Sequence, residues 1–148
     1  GPMNFRPELA RAVMYGQKTV TRRLVREDNP RSPWHPDRAL KLEGKRVAIQ
    51  PGRGKPAIGY ATVVDVQREL FIPILSIDAQ EAWREGFGGV EEFFAVWREL
   101  HGDHLEAEYD VWRIQLRVSP EEQVCRHCGG VGECSCDALA LMGAQEAT

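Results

Sequence analysis

Apolar residues in this chain come in short runs whose period keeps changing, and that pattern limits the architecture more than any other feature. The strongest run covers residues 57–66, where Tyr60, Thr62, Val63, Val64 and Val66 are the β-branched and aromatic residues of a pleated strand. Further strands are expected at 18–24, at 44–50 with Val47 and Ile49 inward, at 70–75, and at 109–118 with Val111, Ile114, Leu116 and Val118. Helices interrupt them. Residues 6–15 open on Pro7 and Glu8, repeat Leu9, Ala12 and Val13 at helical spacing, and stop at Gly16. A capped start at 76–83 breaks at Gly86-Phe87-Gly88-Gly89, and 90–100 carries Val90, Phe93, Phe94 and Trp97 on one face. Strand and helix do not alternate regularly, so the expected class is α+β, with helices flanking a small barrel. No segment repeats.

The 148 residues suit one domain. Gly1-Pro2 before Met3 reads as the remnant of a cleaved affinity tag. No apolar run approaches the roughly 18–20 residues that span a bilayer, and no signal peptide follows Met3, so a cytoplasmic protein with no membrane partner is expected. The net charge of −3 conceals an asymmetry: residues 1–58 carry 13 Lys/Arg against 5 Asp/Glu, and residues 59–148 carry 6 against 17. Either the halves interleave and neutralise each other, or a positive field survives near the first half.

From residue 25 to 42 the periodicity dissolves into a proline-rich, basic loop with one aromatic, Trp34. Cations for phosphate and a ring for stacking are the ingredients of single-strand nucleic-acid binding, with Arg22, Arg23, Arg26 and Trp34 as candidates. Trp34 pinning the loop to the barrel is the other reading. Arg22 and Arg23 are neighbours on a strand, so one should enter the cleft while the other is solvated. Gly52-Arg53-Gly54-Lys55 lacks the spacing of a phosphate-binding loop. Trp83, Phe93, Phe94, Trp97 and Trp112 are expected in the core. His35, His101 and His104 are too scattered to hold a metal.

The run Gly16-Gln17-Lys18-Thr19-Val20-Thr21-Arg22-Arg23 resembles the Gly-x-Lys-Thr-x-(Thr or Glu)-x-Arg signature of the ASCH family, a branch of the PUA-like superfamily. Glu85-Gly86-Phe87 with the Glu92-Phe93-Phe94 helix after it, and the terminal Tyr109-Asp110-Val111-Trp112-Arg113-Ile114 strand, are similar to later motifs of the same family. The resemblance covers residues 4–118, which places a domain at 3–118 and a tail at 119–148. It implies a PUA-like β-barrel whose cleft takes RNA, single-stranded nucleic acid or a modified nucleoside. Some small bacterial members hydrolyse the acetyl amide of N4-acetylcytidine with a lysine, a threonine and a glutamate, which match Lys18, Thr21 and Glu85 here. The insertion at 25–42 and the tail depart from those amidohydrolases. Whether this chain is an enzyme is therefore open.

A threonine hydroxyl needs a neighbour to remove its proton before it attacks an amide, and a lysine serves as base only when burial or nearby cations lower its pKa. Lys18 and Thr21, three apart, share no strand face. If Lys18 lies in the turn after the helix, its arm can reach back. Equally, Lys18 and Glu85 are readable as a structural ion pair beside a polar cleft.

All four cysteines fall in Cys125-Arg126-His127-Cys128-Gly129-Gly130-Val131-Gly132-Glu133-Cys134-Ser135-Cys136. A disulfide-stapled secreted domain would spread them, so a clustered set points to metal. Thiolates at Cys-x-x-Cys spacing chelate zinc, and the first half resembles the repeat of DnaJ-type zinc modules. The Cys-x-Cys pair is a less usual chelate, which leaves His127 as a substitute ligand. Redox activity or a disordered tail are the alternatives, and a zinc tail acting as a protein-interaction adaptor is a third reading of the whole chain. Loss of the metal is expected to leave the barrel stable. Residues 137–148 are expected to fray.

Overall fold

The run at 57–66 continues through Leu70 and Phe71 as one long strand, β4 (Gly59–Phe71), in the computed structural model, which describes residues 1–136. The rest of the strand expected at 70–75 is instead a short helix opened by Pro73, which has no amide to give a ladder. Polar Gln67, Arg68 and Glu69 hid the continuity of β4, yet all three pair across to the strand β5 (Tyr109–Arg117). A bulge between Val63 and Asp65 resets the alternation, so Ala61 and Val63 face inward before it and Val66 after it. The other strands are β1 (Met3–Asn4), β2 (Val20–Leu24) and β3 (Arg46–Gln50), and the sheet order is β1-β3-β4-β5-β2. Only β1 and β3 run parallel.

The sheet rolls until its edges meet. An Arg23 guanidinium N–H on β2 donates to the Asn4 carbonyl of β1 at 2.6 Å, a side-chain bridge across the barrel's seam, where no backbone ladder joins the two edge strands among the described residues. Inside pack Met3, Val47, Ile49, Val63, Trp112 and Ile114, plugged by Val13 and Met14 of α1 (Pro7–Met14). A second core lies on the opposite face, where Phe71 and Val111 meet Phe93 and Trp97 of α5 (Val90–His101). Between α1 and α5 in the chain come α2 (Pro36–Ala39), with a 3-10 turn at Leu40–Leu42, then α3 (Pro73–Ser76) and α4 (Ala79–Arg84). This is the expected α+β class.

Two expectations need correcting. Trp83 is 51% exposed rather than core, because the six-residue α4 turns Glu81 and Ala82 inward and leaves Trp83 on the other side. The 25–42 segment is not featureless: α2 buries Ala39 completely, and Trp34 packs on the barrel. The Trp34 carbonyl accepts the Trp112 indole N–H at 2.7 Å and the Arg26 amide at 3.1 Å, so the loop is pinned as well as basic.

The tail touches the barrel before it reaches its cysteines. Val124 packs against the inner core, its amide donates to the Met14 carbonyl at 2.9 Å, and Arg46 pairs with Glu122. The expectation for residues 137–148 lies outside the described residues. Among the described residues no helix is long and apolar enough to cross a membrane.

Candidate functional site

Helix α1 ends at Met14, Gly16 (φ +80°) turns the chain just beyond its cap, and Lys18 lies in the α1–β2 connection rather than on the strand. From there its arm reaches back, as one of the two readings required. The Lys18 ammonium donates to the Val20 carbonyl at 2.8 Å, to the Glu85 carbonyl at 2.7 Å and to Glu85 Oε1 at 3.2 Å. Glu85 caps the C-terminus of α4, whose own start is fixed by Asp78 accepting the Glu81 amide at 2.7 Å. Gly86 (φ +96°) has a steric reason to be glycine: a Cβ there would stand 3.1 Å from Lys18 Cβ and 3.3 Å from Leu9 Cδ2. The Glu-Gly-Phe motif thus supplies an acceptor, room for the lysine stem, and an anchor, Phe87, whose ring meets Phe93 edge-on.

Lys18 and Glu85 are both buried, with side chains 2% and 5% exposed. Burial pushes the Lys18 pKa down, Glu85 pulls it back up, and Arg23 and Arg22 push it down again; the net direction is down. All three ammonium protons have acceptors.

The two adjacent arginines diverge as strand alternation demands, but the one turned away from the barrel side, Arg22, is buried rather than solvated, which corrects the expectation for it, and Arg23 is half-buried. Arg22 faces the second layer, where its side chain is 4% exposed and its N–H groups meet Glu69 at 2.6 Å, Glu85 Oε2 at 2.7 Å and Glu81 at 2.8 Å. Burial lowers the Arg22 pKa, but Glu85 and Glu69 more than compensate and raise it. Burial alone would raise Glu81, yet hydrogen bonds from Arg113, Arg22 and Arg84 hold it down at about 2. The reason both faces of β2 are covered is the second core, which the sequence pattern of β2 does not announce.

Arg23 shares the barrel-side face with Thr21, opposite Trp112 and Ile114 of β5. Its guanidinium lies 4.8 Å from the Phe5 ring centre and 5.3 Å from Trp34, and the Asn4 carbonyl is its hydrogen-bond acceptor. Among the described residues no carboxylate forms an ion pair with it. Burial lowers its pKa to about 10, against the pull of Glu85.

Lys18, Thr21, Arg22, Arg23, Arg26, Trp34 and Glu85 all line one cavity of about 480 Å³ at the barrel seam, within the range of small-molecule pockets. Phe5, Phe87, Trp97 and His101 supply apolar and aromatic wall, and Arg53 stands at the rim. The barrel brings together every barrel residue that the sequence singled out. It adds Phe5, Arg53 and His101, which only topology places there. The Trp97 indole N–H has no acceptor among the described residues. The His101 ring centre lies 4.2 Å from that of Trp97 with the planes tilted by 49°, and burial, then Arg26, lower the His101 pKa.

In the tail, the sulfurs of Cys125, Cys128, Cys134 and Cys136 all lie within 4.8 Å of one another. His127 is not part of that group; its amide instead donates to Cys125 Sγ at 3.4 Å, as the Gly130 amide does to Cys128 Sγ. Backbone donors hold the Cys125 thiol down at about 6, while the crowding thiols of Cys128 and Cys125 push Cys136 up to about 12.

No family model and no curated protein matches the sequence. Among solved structures, the hypothetical protein PH0355 is similar with a TM-score of 0.52 and 16% identity over 78% of this chain and 95% of that one. Two mutant forms of ZmASCH from Zymomonas mobilis align with a TM-score of 0.45 each, at 24% and 22% identity. Both alignments cover 78% of this chain, which spans about two thirds of their length (66% and 67%). The likeness to PH0355 is one of fold.

Proposed function

We propose that this chain is an ASCH-type domain whose cleft binds RNA or a phosphorylated, modified nucleoside, with the base against the aromatic wall and a phosphate against Arg23. The contrast between two adjacent arginines carries the reading. Arg22 holds three carboxylates, whereas Arg23 sits in the cleft with one carbonyl and two rings. A half-buried guanidinium without a carboxylate partner favours an anionic ligand, and its planar fork matches a phosphate. Arg26 and Arg53 at the mouth form no ion pairs among the described residues and add to the same field. The test is an NMR titration with cytidine, cytidine 5′-monophosphate, N4-acetylcytidine and short RNA and DNA oligomers. The nucleotide should bind about ten- to a hundredfold more tightly than the nucleoside, the range of charged hydrogen bonds, and Arg23→Met should abolish that preference. Equal affinity for the two forms refutes the role of Arg23. Failure of every oligomer to bind at low ionic strength refutes the nucleic-acid reading.

A second reading, hydrolysis of an N4-acylated cytidine, has one observation in its favour: a buried lysine of lowered pKa shares the cavity with a threonine hydroxyl and a glutamate. Lys18 holds three acceptors, so it must pass a proton to Glu85, 3.2 Å away, before it takes one from Thr21. Thr21 Oγ1 then attacks the acyl carbon, the C–N bond breaks, the amine leaves with the proton, and water hydrolyses the ester. Turnover of N4-acetylcytidine that survives both Lys18→Met and Thr21→Val would place the chemistry elsewhere. Binding without turnover would leave a reader module.

The four thiols fit zinc. Tetrahedral ligands at a Zn–S bond of roughly 2.3 Å stand about 3.8 Å apart, so sulfurs already within 4.8 Å need only a small contraction. N–H···S bonds favour the thiolate at Cys125, and a cation among the four sulfurs would offset the crowding that holds the Cys136 thiol protonated. Elemental analysis should find about one zinc per chain, lowered by Cys125→Ser. Metal-free protein with a folded tail would refute the assignment.

A further inference from the structure

Helix α1 ends at Met14, and its last carbonyls need donors from beyond the helix. The Gly16 amide returns to Val13, and the Gln17 and Lys18 amides both return to Ala12. The Met14 and Tyr15 carbonyls are satisfied by the tail: Val124 N–H donates to Met14 at 2.9 Å, and the Gln123 side-chain amide donates to Tyr15 at 2.8 Å. That amide lies directly over Gly16, where a Cβ would come within 3.0 Å of Gln123 Nε2. Arg126 adds a cation 5.6 Å from the Tyr15 ring. Lys18, whose ammonium lies in the cleft, follows two residues after Gly16.

The two residues that grip this turn are themselves held by the four-cysteine segment Cys125–Cys136, a knuckle around the grouped sulfurs. Cys125 comes next in the chain, its amide bonded to the Gly130 carbonyl at 2.9 Å. Gly132 N–H returns to the Gln123 carbonyl at 2.9 Å, and Val124 pairs with Val131 in an isolated bridge. The knuckle has almost no apolar interior of its own: Cys125 is buried, but Val131 is 67% exposed. A segment this small takes its order from a metal.

We propose that Gln123 and the metal-closed knuckle are a positioning clamp for the α1–β2 turn, so that filling the four-thiol site fixes where Lys18 stands in the cleft. This rests on the zinc reading above. With the metal gone, the knuckle opens, Gln123 and Val124 lose their fixed geometry, and the Met14 and Tyr15 carbonyls lose their donors. The turn carrying Lys18 then loosens, although none of its residues touches the metal. Gln123 acts through Lys18 and touches no cleft ligand.

The test follows amide hydrogen exchange of the full chain with and without a zinc chelator, with zinc content measured alongside. Chelation should speed exchange at residues 14–20 by about tenfold or more, as well as at 120–136, and leave β4 and α5 unchanged. Gln123→Met, equal in length but without the amide, should retain zinc and speed exchange at 15–18. It should also shift the titration of Lys18, read from its Cε resonance, which a general loss of stability would not move. If chelation strips zinc and residues 14–20 keep their protection, the clamp is overturned and the zinc site stands. If the protein holds no zinc, the zinc reading fails, and an unmoved Lys18 titration in Gln123→Met overturns the clamp separately.

Discussion

Arg22 shows how much a single side chain carries in this molecule. It bonds Glu69, Glu81 and Glu85 at once, and Glu85 in turn holds Lys18. Arg22→Met would leave buried carboxylates short of a partner, a loss of about 3–5 kcal/mol for a broken buried pair, read from urea unfolding. Glu81 gives the same network a pH signature. Its folded pKa, about 2, lies below the ordinary carboxylate value of 4.5, so its contribution is complete above that value and is lost as the pH falls through about 2. Melting curves of the protein and of Glu81→Gln should therefore converge between those two values. At this scale the sequence was informative where motif and chemistry agreed: Lys18, Thr21 and Glu85 line one cavity. It was silent where burial comes from a distant layer. Alternation told that Arg22 and Arg23 point apart, but not that α4 and α5 would cover the face Arg22 takes.

Elements were legible in proportion to their apolar periodicity. Helix α5 and strand β5 stand within a residue or so of their expected bounds, because Phe93 and Trp97, and Val111, Ile114 and Leu116, repeat at the spacing their structure requires. The two-residue β1 has no periodicity to read and exists only through its pairing with β3. The second half of β4 is polar because Arg68 bonds Asp110 and Glu69 bonds Arg22. Three substitutions test what a short element and two turns contribute. Asp78→Ala removes the α4 N-cap and should cost about 1 kcal/mol in thermal or urea unfolding. Gly86→Ala and Gly54→Ala both place a side chain at positive φ, at +96° and +76°, but only the first also meets Lys18 and Leu9. Backbone strain is on the order of 1 kcal/mol in each. Any excess loss at Gly86 measures the packing of the lysine stem, and it should be accompanied by weaker ligand binding.

Across the whole molecule, the charge asymmetry resolves into paired and unpaired cations. Three first-half arginines meet second-half carboxylates among the described residues: Arg6 with Glu99, Arg22 with Glu81 and Glu85, and Arg46 with Glu122. The unpaired ones that matter are Arg23, Arg26 and Arg53, which share the cleft. A protein of net charge −3 is therefore expected to attract an anionic strand at one place and repel it elsewhere. Binding of a short single-stranded RNA should weaken steadily with salt, since each phosphate neutralised releases about 0.7 counterion. Arg26→Gln with Arg53→Gln should flatten the slope of log affinity against log salt by roughly 1.4, because both lie at the solvated mouth. Arg23→Met should act differently. Its site is shielded by Phe5 and Trp34, so affinity should drop at every salt concentration, more than its small share of the slope would explain. Fluorescence anisotropy across a salt series separates the two effects. A slope and an affinity that survive all three substitutions would mean that nucleic acid reaches this protein by another surface, because among the described residues the other lysine and arginines lining this cleft, Arg6, Lys18 and Arg22, are already held by carboxylates.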